Sequence, residues 1–150
     1  MVTSRLLRLL SGHNVRYIVI GAAALPAHGY VRATQDIDIF IRPSRANVRR
    51  AFAALQEFGY DLSDSSVTEM MQKKILLRQY AVATDVHPFV KGFSFDEIWR
   101  HRIVSNIEGV PTFVVGLDDL LRMKEAANRP KDREDIRVLK ELRRRRDSGK

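Results

Sequence analysis

The stretch GAAALPAHGYVRATQDIDIFI, residues 21–41, holds the pattern that decides the fold. Gly21 follows Tyr17–Ile20, a short unbroken apolar run that is typical of a strand covered on both faces. A short alanine-rich helix is expected next, over about 22–28, with a glycine at its C-terminal end. Residues 36–42 then alternate between two faces, which predicts a second strand. The predicted order is therefore strand, glycine, short helix, strand.

The second strand carries a pair of carboxylates. Asp36 and Asp38 lie two residues apart and project from the same face, with backbones about 6.5–7 Å apart. Two carboxylates at this spacing repel each other unless a cation lies between them. Oxygen ligands suit hard divalent cations, and a triphosphate can supply the ligands that the protein does not. The pair therefore points to Mg²⁺, the alternative being a solvent-facing edge strand.

A third carboxylate, Asp85, lies within an apolar strand predicted over 81–87, where an acidic side chain is costly without a partner. If this strand neighbours the strand of Asp36 and Asp38, the spacing of about 4.8 Å between strands brings Asp85 close to the same cation. Three carboxylates would then share one or two Mg²⁺ ions. The alternative is a buried salt bridge between Asp85 and an arginine.

The rest of the chain alternates helical and strand patterns. Apolar periodicity, caps and a proline break predict helices over about 3–12, 44–58, 94–99, 117–128 and 131–146, and further strands over 73–78, 103–107 and 110–115. Such interleaving indicates an α/β (α+β) fold, in which helices flank a central mixed β-sheet and further helices follow at the C-terminus. With 150 residues and no linker-like segment, a single domain over 1–150 is expected.

Composition excludes several classes of site. The chain has no cysteine, which rules out cysteine zinc sites, iron–sulfur clusters and thiol nucleophiles. No stretch approaches the roughly 18 apolar residues that a membrane helix needs. A cytoplasmic protein without a membrane partner is expected.

Positive charge is concentrated near the C-terminus. The net charge is +8; residues 1–120 carry 14 basic and 12 acidic side chains, whereas residues 121–150 carry 12 and 6. A basic C-terminal helix and tail, about 131–150, favours an anionic ligand such as RNA or a nucleotide. The alternative is a solvated helix surface that ends in a frayed tail at the four arginines 143–146.

Histidines and aromatic residues are expected to have structural roles. His28 and His87 lack metal-ligand spacing, and His87 shares a strand face with Asp85, so both are expected to support the site rather than form it. The aromatic residues of the same region are expected in the core rather than as a platform for base stacking; they are Phe89, Phe93, Phe95 and Trp99.

Taken together, GAAALPAHGYVRATQDIDIFI resembles the signature of the nucleotidyltransferase superfamily, which has the DNA polymerase β-like fold. In that family a strand ends in Gly-Gly or Gly-Ser, a short helix follows, and Asp-x-Asp lies on the next strand. TDVHPF at 84–89 looks like the strand of the third carboxylate, and residues 110–142 look like the closing hairpin and helices of short bacterial members. These members include minimal nucleotidyltransferases and toxin-like transferases of the AbiEii type. The resemblance covers about 17–142.

The resemblance implies roles for individual residues. Asp36 and Asp38 match the catalytic metal ligands of the motif. Asp85 matches the third carboxylate, which in the family helps to activate the acceptor hydroxyl, and Gly21 matches the glycine that holds phosphate. Ala22 departs from the pattern, because the family prefers Gly or Ser there, so a side-chain hydroxyl or a close backbone approach is lost.

Basic residues are also implicated in nucleotide binding. Lys124, Arg129 and Lys131 lie in a segment that resembles the C-terminal segment of the family, and they are expected to contact the triphosphate or the acceptor. Aspartates of the same segment stand close enough to pair with them, which is the alternative. Arg32, just before the carboxylate pair, is expected to be either a phosphate contact or the anchor of its loop.

The reaction that the resemblance implies is in-line attack of an acceptor hydroxyl on the α-phosphate of a nucleoside triphosphate, with two Mg²⁺ ions, or Mn²⁺, at the site. The expected acceptor is RNA, tRNA or a protein, and the likeness to toxin-like members adds an antitoxin or another protein as a partner. One alternative is a non-catalytic nucleotidyltransferase-like module, or an antitoxin-like partner, that binds RNA or protein. Another is an aspartate-based phosphatase or nuclease, which the helix before the carboxylate pair disfavours.

Overall fold

The computed structural model describes residues 2–31, 36–79 and 82–149. These residues form six β-strands, six α-helices and two short 3₁₀ helices. The strands are β1 (Tyr17–Ile20), β2 (Asp36–Ile41), β3 (Ile75–Leu77), β4 (Ala83–His87), β5 (Ile103–Ile107) and β6 (Val110–Val114). The α-helices are α1 (Val2–Gly12), α2 (Arg45–Phe58), α3 (Val67–Gln72), α4 (Phe95–Arg100), α5 (Leu117–Ala127) and α6 (Arg133–Ser148). The 3₁₀ helices span Gly21–His28 and Pro130–Asp132.

The six strands form one mixed sheet in the order β3-β4-β2-β1-β6-β5. β2 runs parallel to β4 and β1 runs parallel to β6, whereas the other neighbouring pairs are antiparallel. This architecture confirms the predicted α/β fold with a mixed sheet and flanking helices. It also places the strand of Asp36 and Asp38 directly beside the strand of Asp85, which is the condition under which the sequence brings Asp85 close to the pair.

β1 lies in the middle of the sheet, between β2 and β6, and all four of its residues are buried. The unbroken apolar run Tyr17–Ile20 is explained by this position, because both faces of a central strand are covered by other elements. Helix α1 packs against α2 and β6, and α5 packs against α6 and the first 3₁₀ helix. The site described below lies where β2 and β4 meet this 3₁₀ helix.

A buried amide fixes the start of α2 against the sheet. The Asn47 side chain accepts a hydrogen bond from the Arg16 N–H at 2.7 Å and donates to the carbonyl oxygens of Arg16 and Arg42 at 3.0 and 2.9 Å. The Ser44 hydroxyl oxygen caps the helix by accepting from the Asn47 N–H at 3.3 Å. One side chain therefore ties the helix to the ends of two adjacent strands.

Three local elements differ from the sequence prediction. The helix predicted over 22–28 is a 3₁₀ helix, in which Pro26 has no N–H to donate to an α-helical bond. The strand predicted over 73–78 spans only Ile75–Leu77, because α3, which was not predicted, ends just before it and Lys73 donates its N–H to Glu69.

The C-terminal arginines do not form a frayed tail. Helix α6 continues to Ser148, and the guanidinium groups of Arg144 and Arg145 bond Glu141 one turn earlier. Arg146 reaches Asp118 of α5 at 3.2 Å. The alternative of a frayed tail is therefore wrong for these residues, and Arg144, Arg145 and Arg146 are paired with acidic side chains at the protein surface. None of the helices in the described ranges combines the length and the apolar character that a membrane span requires.

Candidate active site

Two of the three predicted carboxylates meet at the junction of β2 and β4. Asp38 and Asp85 are register partners on these parallel strands, and both side chains are partly buried. Asp36 lies two residues earlier on β2, opposite Ala83, and is exposed at the start of the strand. The three carboxylates therefore lie on two neighbouring strands of the sheet, with Asp38 directly opposite Asp85.

His87 joins this pair, although its sequence position predicted only a supporting role. Its Nε2 lies 2.9 Å from Asp38 Oδ1, and Asp38, Asp85 and His87 each offer a ligand atom within 4.8 Å of the others. Two carboxylates and one imidazole at this separation form a donor set that fits a divalent cation. The signal in the sequence was the alternation along β4, which points Asp85 and His87 to the same face.

Positive groups surround the carboxylates. Arg78 donates a hydrogen bond to Asp85, so the salt bridge that the sequence offered as an alternative role for Asp85 is present within the site. Burial raises the pKa of Asp38, but the hydrogen bond and charge of His87, a hydrogen bond with Asp85 and the charge of Lys74 together lower it below its ordinary value. Asp38 is therefore held in the ionised form that a metal ligand requires.

Gly21 occupies a position that strongly favours glycine. Its φ is +69°, in the left-handed region, and a Cβ built there would lie 2.8 Å from Asp38 Oδ2. The chain therefore turns from β1 into the 3₁₀ helix in direct contact with the central carboxylate. In the part of the chain that the structure describes, no side chain caps the N-terminus of this helix. Backbone N–H groups here are suited to phosphate oxygens.

Lys124 and Arg129, predicted to bind nucleotide, are engaged in an ion cluster between α5 and α6. The Lys124 ammonium, only 8% exposed, lies 3.2 Å from both Asp132 and Asp135, and Arg129 Nε lies 2.8 Å from Asp132. Burial raises the pKa of Asp132, yet the hydrogen bonds from Arg129 and Lys124 lower it from 3.8 to about 2. The pairing alternative is thus present, while the Arg129 side chain remains 52% exposed.

One cavity of about 520 Å³ joins these groups. Every predicted site residue that the structure describes lines it: Gly21, Ala22, Asp36, Asp38, Asp85, Lys124, Arg129 and Lys131. Arg32 lies outside the described residues. The cavity is also lined by residues that the sequence did not assign to nucleotide or metal binding, among them Lys74, His87, Phe89 and Lys91.

The aromatic residues of this region divide between core and cavity. Phe95 is buried, and Phe93 and Trp99 pack against the core, as predicted. Phe89 is 61% exposed, so its predicted core position is wrong. Strand β4 ends at His87, and Phe89 lies just beyond that end, at the cavity.

A mixed sheet that sets an Asp-x-Asp strand beside a third carboxylate, with a glycine turn packed against them, defines a nucleotidyltransferase fold. The sequence agrees: residues 1–147 match the model of a family described as "Nucleotidyltransferase of unknown function (DUF6036)", and the chain belongs to this family. No match was found among curated proteins.

Solved structures show the same fold at low sequence identity. The lincosamide antibiotic adenylyltransferase LnuA, crystallised with lincomycin, is similar with a TM-score of 0.66 and 17% identity, over 94% of this chain and 96% of that chain. TM1012 from Thermotoga maritima, a nucleotidyltransferase candidate, has a TM-score of 0.62 and 14% identity, over 91% and 89%. The antibiotic-resistance factor ANT(2'')-Ia has a TM-score of 0.61 and 15% identity, over 99% and 92%. The architecture is therefore shared over nearly the whole chain.

Proposed function

We propose that this protein is a Mg²⁺-dependent nucleotidyltransferase that moves a nucleoside monophosphate from a nucleoside triphosphate to an acceptor hydroxyl. The observation that carries the proposal is the register pairing of Asp38 with Asp85 against the left-handed turn at Gly21, all within one cavity. The carboxylates can hold the metal ion, and the uncapped N–H groups of the turn can bind the phosphate oxygens of a metal-bound triphosphate.

Asp36, Asp38 and Asp85 are the residues that would hold the divalent cation, with His87 beside them. Mutual repulsion between Asp38 and Asp85 disfavours the pair without a positive partner, and in this structure the Arg78 guanidinium bonds Asp85 while His87 forms a hydrogen bond with Asp38. When bound, Mg²⁺ or Mn²⁺ would neutralise charge that develops on the phosphates during transfer. In this proposal the Asp85 carboxylate takes the proton from the acceptor hydroxyl after the hydrogen bond between Arg78 and Asp85 has broken.

Nucleotide binding is assigned to the walls on either side of the carboxylates. Gly21 and Ala22 present backbone N–H groups, and Ala22 supplies no side-chain hydroxyl, so phosphate contacts there come from the main chain. The exposed guanidinium of Arg129 faces the same cavity and can contact phosphate while its Nε stays bonded to Asp132. Lys124 is proposed to support nucleotide binding indirectly, through its ion pair with Asp132. Arg32 remains a proposed phosphate contact.

The acceptor is proposed to be a hydroxyl of RNA, tRNA or a protein. Lysines at the cavity favour an anionic acceptor over a cationic one. LnuA, a lincosamide antibiotic adenylyltransferase with lincomycin bound in its crystal structure, covers almost the same length of chain, so small-molecule hydroxyls are included in the same assay as a third class of acceptor. A protein partner, including an antitoxin, stays a prediction of the resemblance, as does a cytoplasmic location.

The test is transfer of label. The protein is incubated with each α-labelled nucleoside triphosphate, Mg²⁺ or Mn²⁺, total tRNA, candidate proteins and hydroxylated small molecules, and label is sought on each acceptor. Wild type is expected to transfer label, Asp38→Asn to lose transfer, and Asp64→Asn, an exposed aspartate outside the cavity, to retain it. If wild type binds nucleotide but transfers no label, the proposal of an enzyme is rejected in favour of a non-catalytic binding module.

A further inference from the structure

Phe89 is an exposed aromatic ring at a cavity that also holds several charged side chains. It is 61% exposed and lines the same wall as Lys74 and Lys91. A phenylalanine side chain gains free energy when it leaves water, so a large exposed ring at a polar cavity marks a contact for a ligand more often than a ring scattered elsewhere on the surface does.

The ring is held by a short, fixed segment. From Asp85 to Phe89 the residues alternate in burial, with Val86 and Pro88 buried, so Phe89 continues the face of β4 that carries Asp85 and His87. A tight turn follows, closed by a hydrogen bond of 3.0 Å from the Phe93 N–H to the Val90 carbonyl. The segment that carries the ring therefore lies between the end of β4 and this turn.

The distance along the strand separates the ring from the phosphates. Phe89 lies four residues beyond Asp85, which corresponds to about 13 Å of extended chain. A phosphate held through a divalent cation on the carboxylates would lie at the other end of this span. The ring is therefore placed to contact the base end of a bound nucleotide, or a neighbouring nucleotide of an acceptor, and not the phosphates.

Charge around the ring favours the same ligand. Lys74 and Lys91 are exposed, line the cavity with Phe89, and form no ion pair within the described residues. An aromatic face in the same cavity as exposed cations is the combination by which proteins bind nucleotides without hydrogen bonds to the base edge.

We propose that Phe89 is a stacking platform for a nucleobase at the mouth of the cavity, with Lys74 and Lys91 contacting the adjoining phosphates. The inference rests on the proposed function, because it assigns a subsite of the same cavity. The base can belong to the nucleoside triphosphate or to the end of an RNA acceptor; the shared chemistry is a planar base, and the experiment separates its two sources.

The experiment measures binding by isothermal titration with three probes in the presence of Mg²⁺: ATP, inorganic tripolyphosphate, which lacks a base, and a short single-stranded RNA. Phe89→Ala is compared with Phe89→Trp, which restores an aromatic face, and Phe89→Leu, which keeps apolar area without a ring. Val104→Ala is the matched control, because Val104 is 64% exposed and lines a different cavity.

Loss of the ring is expected to weaken ATP, RNA or both by roughly tenfold or more, whereas tripolyphosphate binding stays unchanged. Phe89→Trp should bind like wild type, Phe89→Leu like Phe89→Ala, and Val104→Ala like wild type. A loss for ATP alone assigns the base to the donor, and a loss for RNA alone assigns it to the acceptor.

The platform is overturned if Phe89→Ala binds ATP and RNA as wild type does, if it weakens tripolyphosphate equally, or if wild type binds neither ATP nor RNA. The proposed function fails separately. If wild type binds nucleobases through Phe89 but transfers no label, the stacking platform stands and the proposed enzyme activity fails. If Phe89→Ala changes neither binding nor transfer of label, the enzyme activity stands and the platform fails.

Discussion

At the scale of single residues, Gly21 couples backbone conformation to the chemistry of the site. Its left-handed φ would strain any other residue, and a Cβ there would lie 2.8 Å from Asp38 Oδ2 and push the carboxylate aside. We expect Gly21→Ala to lower the free energy of unfolding by about 1–3 kcal/mol, the usual cost of a strained backbone position. Displacement of Asp38 should also weaken divalent-metal binding. Urea unfolding and metal titration measure the two effects.

Gly12→Ala serves as the control for this substitution. Gly12 is the last residue of α1, and a Cβ there would meet nothing within 4 Å. Its stability should stay the same or rise slightly, because alanine favours helix. Equal stability of Gly21→Ala and wild type would contradict the proposed constraint.

His87 gives the site a nitrogen donor beside its carboxylates. Imidazole is a better ligand for Co²⁺ than for Mg²⁺. His87→Ala is therefore expected to reduce Co²⁺ affinity by about 10- to 100-fold and Mg²⁺ affinity by less, as measured by titration of each ion. His13→Ala, which removes a histidine near Glu57 on α2, should change neither affinity. An equal loss for both ions would limit His87 to holding Asp38 in place.

At the scale of elements, the sequence pointed to a third carboxylate but did not specify that β2 and β4 are neighbours, or in which register they pair. The cost of an acidic residue in an apolar strand indicated that Asp85 has a partner, and its closeness to Asp38 followed only if the two strands were adjacent. The contact of His87 with Asp38 depends on register, which one sequence does not specify. Helix α3 and the exposure of Phe89 depend on what packs beside them, so local patterns missed both.

The joint between α5 and α6 depends on a buried cation. Lys124 lies between Asp132 and Asp135, and all three side chains are nearly inaccessible to solvent. Lys124→Met is expected to lower the free energy of unfolding by about 3–5 kcal/mol, because it removes the buried cation that Asp132 and Asp135 share. Urea unfolding measures this loss.

Lys140→Met tests whether the effect belongs to burial. Lys140 forms a solvent-exposed pair with Glu125 at 3.8 Å, so its loss should change stability by less than about 1 kcal/mol. If Lys124→Met unfolds like wild type but binds ATP more weakly, Lys124 acts directly on phosphate and the ion cluster has little structural role.

At the scale of the whole molecule, the net charge of +8 is distributed unequally between paired and available groups. Arg144 and Arg145 share Glu141, whereas Lys74 and Lys91 form no ion pair within the described ranges. We expect Lys74→Gln with Lys91→Gln to reduce the salt dependence of RNA binding by about one unit of slope for each phosphate that is no longer neutralised. Arg144→Gln with Arg145→Gln should leave the slope nearly unchanged. If instead the arginine variants reduce the slope and the lysine variants do not, RNA binds the C-terminal helix α6.

The strand order has a consequence for synthesis of the chain. β1 is the first strand made, yet one of its two edges is covered by β6, which is completed only at Val114. A ribosome-bound chain that has reached β4 therefore carries the paired aspartates but leaves the apolar edge of Tyr17–Ile20 open. Such an edge is prone to aggregation, so nascent chains of this protein should depend on a chaperone, or on separation from other nascent chains, until β6 is in place.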